Sequence, residues 1–223
     1  MGYEFTGEAK IVSGVSLRRI RRADTGELGG WLEKESNLDA LGGAWVSGEA
    51  KVFGEARVSG EARVFGEAMV SGQAMIFGNA QVFGEAWVSG EARVLGEAQI
   101  FGEARVSGKA WVSGEAWVFG KARVSGEAKV FYKAWVCGKA QVFGEAQVSL
   151  LCGCQDIFHG GYRMTVTETH VSVGCRVWTL PQALSLAWED VKADISKDKF
   201  DALREIGTLQ LATMAEYRAK INL

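Results

Sequence analysis

A six-residue unit, Ala-x-Val-(Ser/Phe)-Gly-Glu, runs from Ala44 to Leu151 in 18 copies with no insertion or deletion. Three consecutive copies show how little varies: Ala56-Arg57-Val58-Ser59-Gly60-Glu61, Ala62-Arg63-Val64-Phe65-Gly66-Glu67 and Ala68-Met69-Val70-Ser71-Gly72-Gln73. A unit this short cannot bury an apolar face alone. It must stack on its neighbours, and a fixed short period therefore specifies a solenoid before any other fold.

Within each unit Ala and Val stand two apart, so an extended chain points both to the same side. The residue between them then points outward. Small Ala admits close approach at a corner and Val fills the centre. The Gly that follows tolerates the positive φ of a turn, and the Glu after it stays in water.

The Ser/Phe position sets the coil length. A 12-residue coil would stack Ser47, Ser59, Ser71, Phe83, Leu95, Ser107 and Phe119, mixing sizes. An 18-residue coil stacks Ser47, Phe65, Phe83, Phe101, Phe119 and Cys137 in one column, and Phe53, Ser71, Ser89, Ser107, Ser125 and Phe143 in a second. The third column, Ser59, Phe77, Leu95, Ser113, Phe131 and Ser149, stays mixed. The longer coil gives the purer ladders. About six such coils at ~4.8 Å spacing make a triangular prism roughly 29 Å long, walled by three parallel sheets. A four-Phe ladder and a four-Ser ladder are expected on two corners, stabilised by ring stacking and by hydroxyl hydrogen bonds along the column.

Residues 1–43 read as a leading cap. Gly7-Glu8-Ala9-Lys10-Ile11 looks like a stray copy of the repeat. Val15–Arg22, the turn Asp24-Thr25-Gly26 and Leu28–Leu32 predict a β-hairpin. Arg18, Arg19, Arg21 and Arg22 could clamp phosphate, but Glu27, Glu33 and Glu35 are close enough to pair with them. The prism occupies residues 44–151. A C-terminal cap, 152–223, follows with a strand at Arg163–Thr167 and another at His170–Trp178, the latter with Val171, Val173, Cys175 and Val177 on one face. Two helices come next, one over 182–195 with Thr179 as N-cap and Pro181 near its start, one restarting at Ser196-Lys197-Asp198. An open solenoid end exposes strand edges, so terminal caps are required.

Composition excludes several functions. With 25 basic and 27 acidic residues the formal charge is −2, which offers no field for nucleic acid or an acidic membrane. Cys137, Cys152, Cys154 and Cys175 are too few and too late for a disulfide framework. Neither a signal peptide nor an apolar run long enough to cross a bilayer is visible, so a cytoplasmic protein is expected.

The pattern from residue 44 to residue 150 resembles the hexapeptide-repeat family, whose coils form a left-handed parallel β-helix. Gly29-Gly30-Trp31 followed by Ala44-Trp45-Val46-Ser47-Gly48 is similar to β-helix proteins of enterobacterial and phage genomes. The resemblance implies left-handedness. For many members it also implies acyl transfer in trimers, with a His beside the coils as general base. The array here contains no His, and the whole chain has 2. Only His159 or His170 in the C-terminal cap is left to serve. Cys152-x-Cys154 with His159, His170 or Cys175 could supply zinc ligands, but the spacing is irregular, and neither a metal nor another cofactor is expected. An ice-binding face would need uniform Thr, which the bulky outward columns rule out. A DNA mimic would need far more negative charge than −2.

Those outward columns hold the interest. Trp45, Trp87, Trp111, Trp117 and Trp135, with Met69 and Met75, are a large apolar load for a soluble monomer's surface. Trp117 stacks above Trp135 in one column, flanked diagonally by Trp111, and Arg105 and Arg123 supply hydrogen bonding nearby. Trp45, Trp87, Arg105, Trp111, Trp117, Arg123 and Trp135 are therefore the candidate binding residues. The expectation is a non-catalytic solenoid of phage or prophage type that forms a homo-oligomer and binds a protein partner as an inhibitor of a host or defence protein. Sequestration of a nucleotide-like ligand by Trp and Arg is a second version, and an acyltransferase-like enzyme is the alternative.

Overall fold

The computed structural model describes residues 2–149, 155–159, 162–166, 170–173, 176–185, 197 and 201. In the array, each repeat contributes one two-residue strand, made of the outward residue and Val, and turns at the Gly-Glu that follows. Every strand pairs in parallel with the strand 18 residues on. Lys51 pairs with Met69, then Trp87, Arg105, Arg123 and Gln141 in turn. The second ladder is Arg57, Met75, Arg93, Trp111, Lys129 and Gln147. The third is Trp45, Arg63, Gln81, Gln99, Trp117 and Trp135. The coil is 18 residues long, and three parallel sheets wall an all-β solenoid of about six coils.

The inward pair behaves as its spacing requires. The repeating Ala and Val (or Ile) residues from Ala44 to Val148 are at most 2% exposed. Each buried Val contributes roughly 1.5 kcal/mol or more, and its stiff branched side chain suits the flat strand. Backbone bonds link coil to coil: Glu49 N donates to Gly66 O (2.9 Å), Lys51 N to Ala68 O (2.9 Å) and Phe53 N to Val70 O (3.0 Å). Gly90 shows why the fifth position is Gly. Its φ is +68°, and a Cβ there would stand 2.9 Å from Gly108 N. Both the turn and the next coil's approach exclude a side chain.

The N-terminal residues cover one end of this prism. β1 (Tyr3–Val12), β2 (Val15–Arg22) and β3 (Leu28–Leu32) form an antiparallel meander. β3 then pairs in parallel with the array, Trp31 opposite Lys51 and Leu32 opposite Val52. The expected hairpin is present as β2 and β3. Gly7–Ile11, however, is not a stray coil. It lies in β1, antiparallel to β2, with a bulge between Phe5 and Ala9 and Gly7 at φ +89°. Antiparallel pairing with β2 takes the place of a coil there.

A first coil leads into the repeats and takes the first of them as its third side. Trp31–Leu32, Leu38 and Trp45–Val46 take the first place in the three ladders, Leu38 through a parallel bridge to Val58. Asn37, fully buried, makes the irregular corner possible. Its amide donates to Gly54 O (3.0 Å) and Ala56 O (2.8 Å), and its Oδ1 accepts from Lys34 N (2.9 Å). Gly29 and Gly30 let β3 lie on that coil, since Cβ atoms there would stand 2.6 Å from Ile20 Cγ1 and 2.7 Å from Ala50 O.

The four arginines of β2 are engaged within the cap. Arg22 pairs with Glu27 (3.0 Å) as the sequence suggested. Arg21 instead meets Glu4 (2.6 Å), Arg19 meets Glu49 (3.5 Å) and Glu8 (3.8 Å), and Arg18 lies over the Phe5 ring (3.6 Å). β1 supplies two of the carboxylates that local spacing had assigned to Glu33 and Glu35.

In the C-terminal region, Gln155–His159, Tyr162–Val166, His170–Val173 and Arg176–Thr179 form a four-stranded antiparallel sheet in that order. The single strand expected over His170–Trp178 is a hairpin, with Val171 opposite Trp178 and Val173 opposite Arg176. Thr179 caps α1 (Leu180–Ser185): Gln182 N donates to Thr179 Oγ1 (3.3 Å) and Thr179 N to Gln182 Oε1 (2.9 Å), a reciprocal capping box. The rest of the helix expected over 182–195 lies outside the described residues. Of the second helix, Lys197 and Asp201 are described, helical and ion-paired at 2.9 Å.

Candidate functional site

The seven candidate residues do not form one site. Trp87, Arg105 and Arg123 share one face of the prism, Trp111 stands on the second, and Trp117 and Trp135 stand on the third. Trp111 therefore does not flank the Trp117–Trp135 pair. A corner, Ser113-Gly114-Glu115, separates them and turns their side chains onto different walls. Trp45 is not available for binding. It is 8% exposed within the core cluster, with the Arg22 guanidinium 4.3 Å from its ring centroid. The cap, whose reach over this coil the repeat pattern does not encode, covers it.

The Trp117 face is the most aromatic. Trp117 and Trp135 stack at 5.3 Å and 6°. Beside them Phe65, Phe83, Phe101 and Phe119 form a continuous ladder, with centroids 4.8, 4.9 and 5.0 Å apart and planes within 4° of parallel. The two columns touch edge to face, Phe101 against Trp117 (6.0 Å) and Phe119 against Trp135 (6.4 Å). The Phe ladder expected at a corner thus shares a wall with the Trp117–Trp135 pair. That signal was present in the spacing: the outward residue and the Ser/Phe position are two apart, so they share a face.

The serine column behaves differently. Among the described residues, its side-chain hydrogen bond is Trp87 Nε1 to Ser71 Oγ (3.3 Å), with Ser71 7% exposed. The expected hydroxyl-to-hydroxyl bonds are not formed by Ser71, Ser89, Ser107 and Ser125. Stacked strands stand about 4.8 Å apart, beyond the reach of an O–H···O bond between hydroxyls in one rotamer. Guanidinium–indole contacts punctuate the other two faces, Arg105 at 5.6 Å from Trp87 and Arg93 at 5.6 Å from Trp111.

The corners carry the acids. The Glu column 49, 67, 85 and 103 continues as Lys121, and Glu103 meets Lys121 at 3.0 Å. Lys109 lies 3.8 Å from Glu127 and Lys133 lies 3.5 Å from Glu115. At the cap, Glu49 accepts from Lys10 (2.6 Å) and Trp31 Nε1 (3.1 Å). The Lys10 hydrogen bond, with the Lys10 charge, Trp31 and Arg19, holds its carboxyl below the usual glutamate range. Lys34 does the same for Glu55.

A wide-mouthed cleft of about 530 Å³ opens between β1 and the first coil, lined by Tyr3, Phe5, Leu38 and Leu41 with Glu4, Glu35 and Asp39 at its rim. The Tyr3 hydroxyl donates to Glu35 O (3.0 Å), and burial pushes its pKa up, with the Glu35 charge adding to the effect. Among the described residues no group of three His, Cys, Asp or Glu could hold a metal ion. Cys137 is a free, half-buried thiol. Cys152, Cys154 and Cys175 lie outside the described residues. The backbones of His159 and His170 fall on strands separated by Tyr162–Val166. No described helix is long and apolar enough to cross a membrane.

Residues 98–114, nearly one full coil, match a family model described as the YdcK beta solenoid repeat. No curated protein matches the chain. With the parallel ladders running through the array, the chain is a β-solenoid repeat protein, similar in that coil to the YdcK repeat.

Proposed function

We propose that the protein is a non-catalytic β-solenoid that assembles with copies of itself through the Trp117 face and acts by binding, in the manner of a phage- or prophage-type inhibitor of a host or defence protein. The observation that carries this reading is the pair of stacked aromatic columns on one wall: Phe65, Phe83, Phe101 and Phe119 beside Trp117 and Trp135. In these two columns Arg63 is the one charged side chain, with Gln81 and Gln99 between it and the tryptophans. A flat, nearly uncharged aromatic plane is best matched by another like it. Such isologous contacts are the commonest in homo-oligomers, whose interfaces are richer in apolar area than transient ones. Aromatic anchors of this kind dominate interface energetics.

Sedimentation velocity on the full chain and on a Trp117→Ser/Trp135→Ser variant tests the reading. The wild type should sediment as an oligomer and the variant as a monomer, with unchanged far-UV circular dichroism. A wild type that remains monomeric at high concentration, or a variant whose oligomer persists, overturns it.

A further inference from the structure

The Trp87 face carries two stacked arginines that the fold does not pair. Arg105 and Arg123 stand directly opposite each other on neighbouring parallel strands. Like charges in this arrangement repel, and such pairs are destabilising unless a counter-charge lies near. Acids do stand at both corners bounding this stretch. The two that flank the arginines' own strands are each engaged across the coils by a lysine: Glu103 by Lys121 at 3.0 Å on one side, Glu127 by Lys109 at 3.8 Å on the other. Neither Arg105 nor Arg123 forms an ion pair among the described residues. The corner lysines replace the Glu of the repeat unit in the coils where the two arginines meet.

Two further groups share this strip. Ser107 and Ser125 lie two residues beyond each arginine, on the same outward side. Their backbone N–H groups are used by the ladder (Ser107 to Val124 O, Ser125 to Val142 O), and their hydroxyls have no partner among the described residues. Trp87 stands next in the ladder, 39% exposed, its indole N–H held by Ser71 Oγ and its ring 5.6 Å from the Arg105 guanidinium. A planar aromatic surface thus adjoins two guanidiniums and two free hydroxyls on one wall.

We propose that this strip is a binding site for a nucleoside diphosphate or a similar phosphorylated aromatic. The base lies on Trp87 and Arg105, and the phosphates are clamped between Arg105 and Arg123 with Ser107 and Ser125 donating. Guanidiniums bind phosphate oxygens with charge-assisted, forked hydrogen bonds, and indole–base stacking is sequence-tolerant. The ligand is short. The ladder runs from Trp87 through two arginines to Gln141, and a nucleic-acid strand would need a longer basic track than two residues. The site is on a different wall from the Trp117 face and does not depend on assembly there.

Isothermal titration of the full chain with ADP, pyrophosphate, adenosine and a short single-stranded DNA tests this. ADP should bind saturably, more tightly than pyrophosphate or adenosine alone, and less tightly as salt is raised. Arg123→Gln should weaken ADP binding roughly tenfold or more. Arg93→Gln, which removes a comparable arginine beside Trp111 on another wall, should leave it unchanged. Circular dichroism of both variants excludes unfolding. Absence of saturable ADP binding, equal losses in the two variants, pyrophosphate binding as tightly as ADP, or DNA binding more tightly than ADP would each overturn the proposal.

Discussion

The repeat array and the N-terminal cap hold together by opposite means. In the array the same backbone bonds recur repeat after repeat, the core is Ala and Val (or Ile) throughout, and most side chains outside it make few specific contacts. In the cap almost every contact is particular: Lys10 lies 3.9 Å over the Trp31 ring and 2.6 Å from Glu49, Arg22 covers Trp45, and Asn37 serves three backbone groups at once. The array tolerates variation wherever a residue points outward and little where the next coil must approach, Tyr132 being the exception at a glycine place. The cap converts a regular edge into an ending, which needs polar groups matched one at a time. A residue's importance in the array follows from its phase in the repeat, and in the cap from its partners.

That difference is broken most severely by a side chain at a repeat glycine. Gly90→Val places a branched Cβ within 3 Å of the Gly108 backbone at a φ of +68°. The left-handed backbone and the overpacking together should cost roughly 3–5 kcal/mol, read as a lowered urea midpoint. Loss of less than about 1 kcal/mol would mean that the coils can spread and that phase does not govern tolerance. The cap's counterpart is Asn37→Leu. It keeps the volume approximately and removes both amide donors, leaving Gly54 O and Ala56 O buried without a side-chain partner. The cost should be about 2–3 kcal/mol in the same urea titration. A neutral result would show that the first coil closes without a polar plug.

The array was legible because its information is periodic. Column purity at the Ser/Phe position selected the 18-residue coil, and the observed ladders follow it from Trp45 to Gln147. Trp45 was misplaced because it has the repeat's phase but the cap's surroundings: what buries it is Arg22 and β3, contacts without a period. For the arginines of β2, sequence distance points to Glu27, Glu33 and Glu35; Glu27 does pair with Arg22, but the antiparallel β1 brings Glu4 and Glu8 in place of the other two. Trp111 was grouped with Trp117 on sequence proximity, although a corner every six residues puts neighbouring outward residues on different walls. Tyr132 is a related case. It takes the glycine place in its repeat and adopts φ +54°, a backbone exception that a count of matching letters does not register. The candidate sites were legible as residue types and became surfaces once columns were assigned to walls.

The smallest expected effect separates the two regions by pH. Glu49 joins them, since it belongs to the first repeat and is bound by Lys10 of β1 and Trp31 of β3. Its pKa in the fold is depressed, chiefly by the Lys10 hydrogen bond, from an ordinary value of 4.5. A depressed carboxylate pKa means that the unfolded chain binds the proton more tightly. The stabilisation is therefore complete above the unfolded value and is lost as pH falls from there through the folded one. The carboxylate is largely exposed, and solvent screening confines the contribution to a few tenths of a kcal/mol. Glu49→Gln should lower the melting temperature slightly at pH 7, and the difference from the wild type should shrink as pH falls below the ordinary carboxylate value of 4.5 and the wild type gives up the same ion pair. Amide exchange should show the difference in β1 and not in the array strands beyond Lys51. A pH-independent effect, or one spread evenly through the coils, would place the contribution of Glu49 in the ladder rather than in the cap's hold on it.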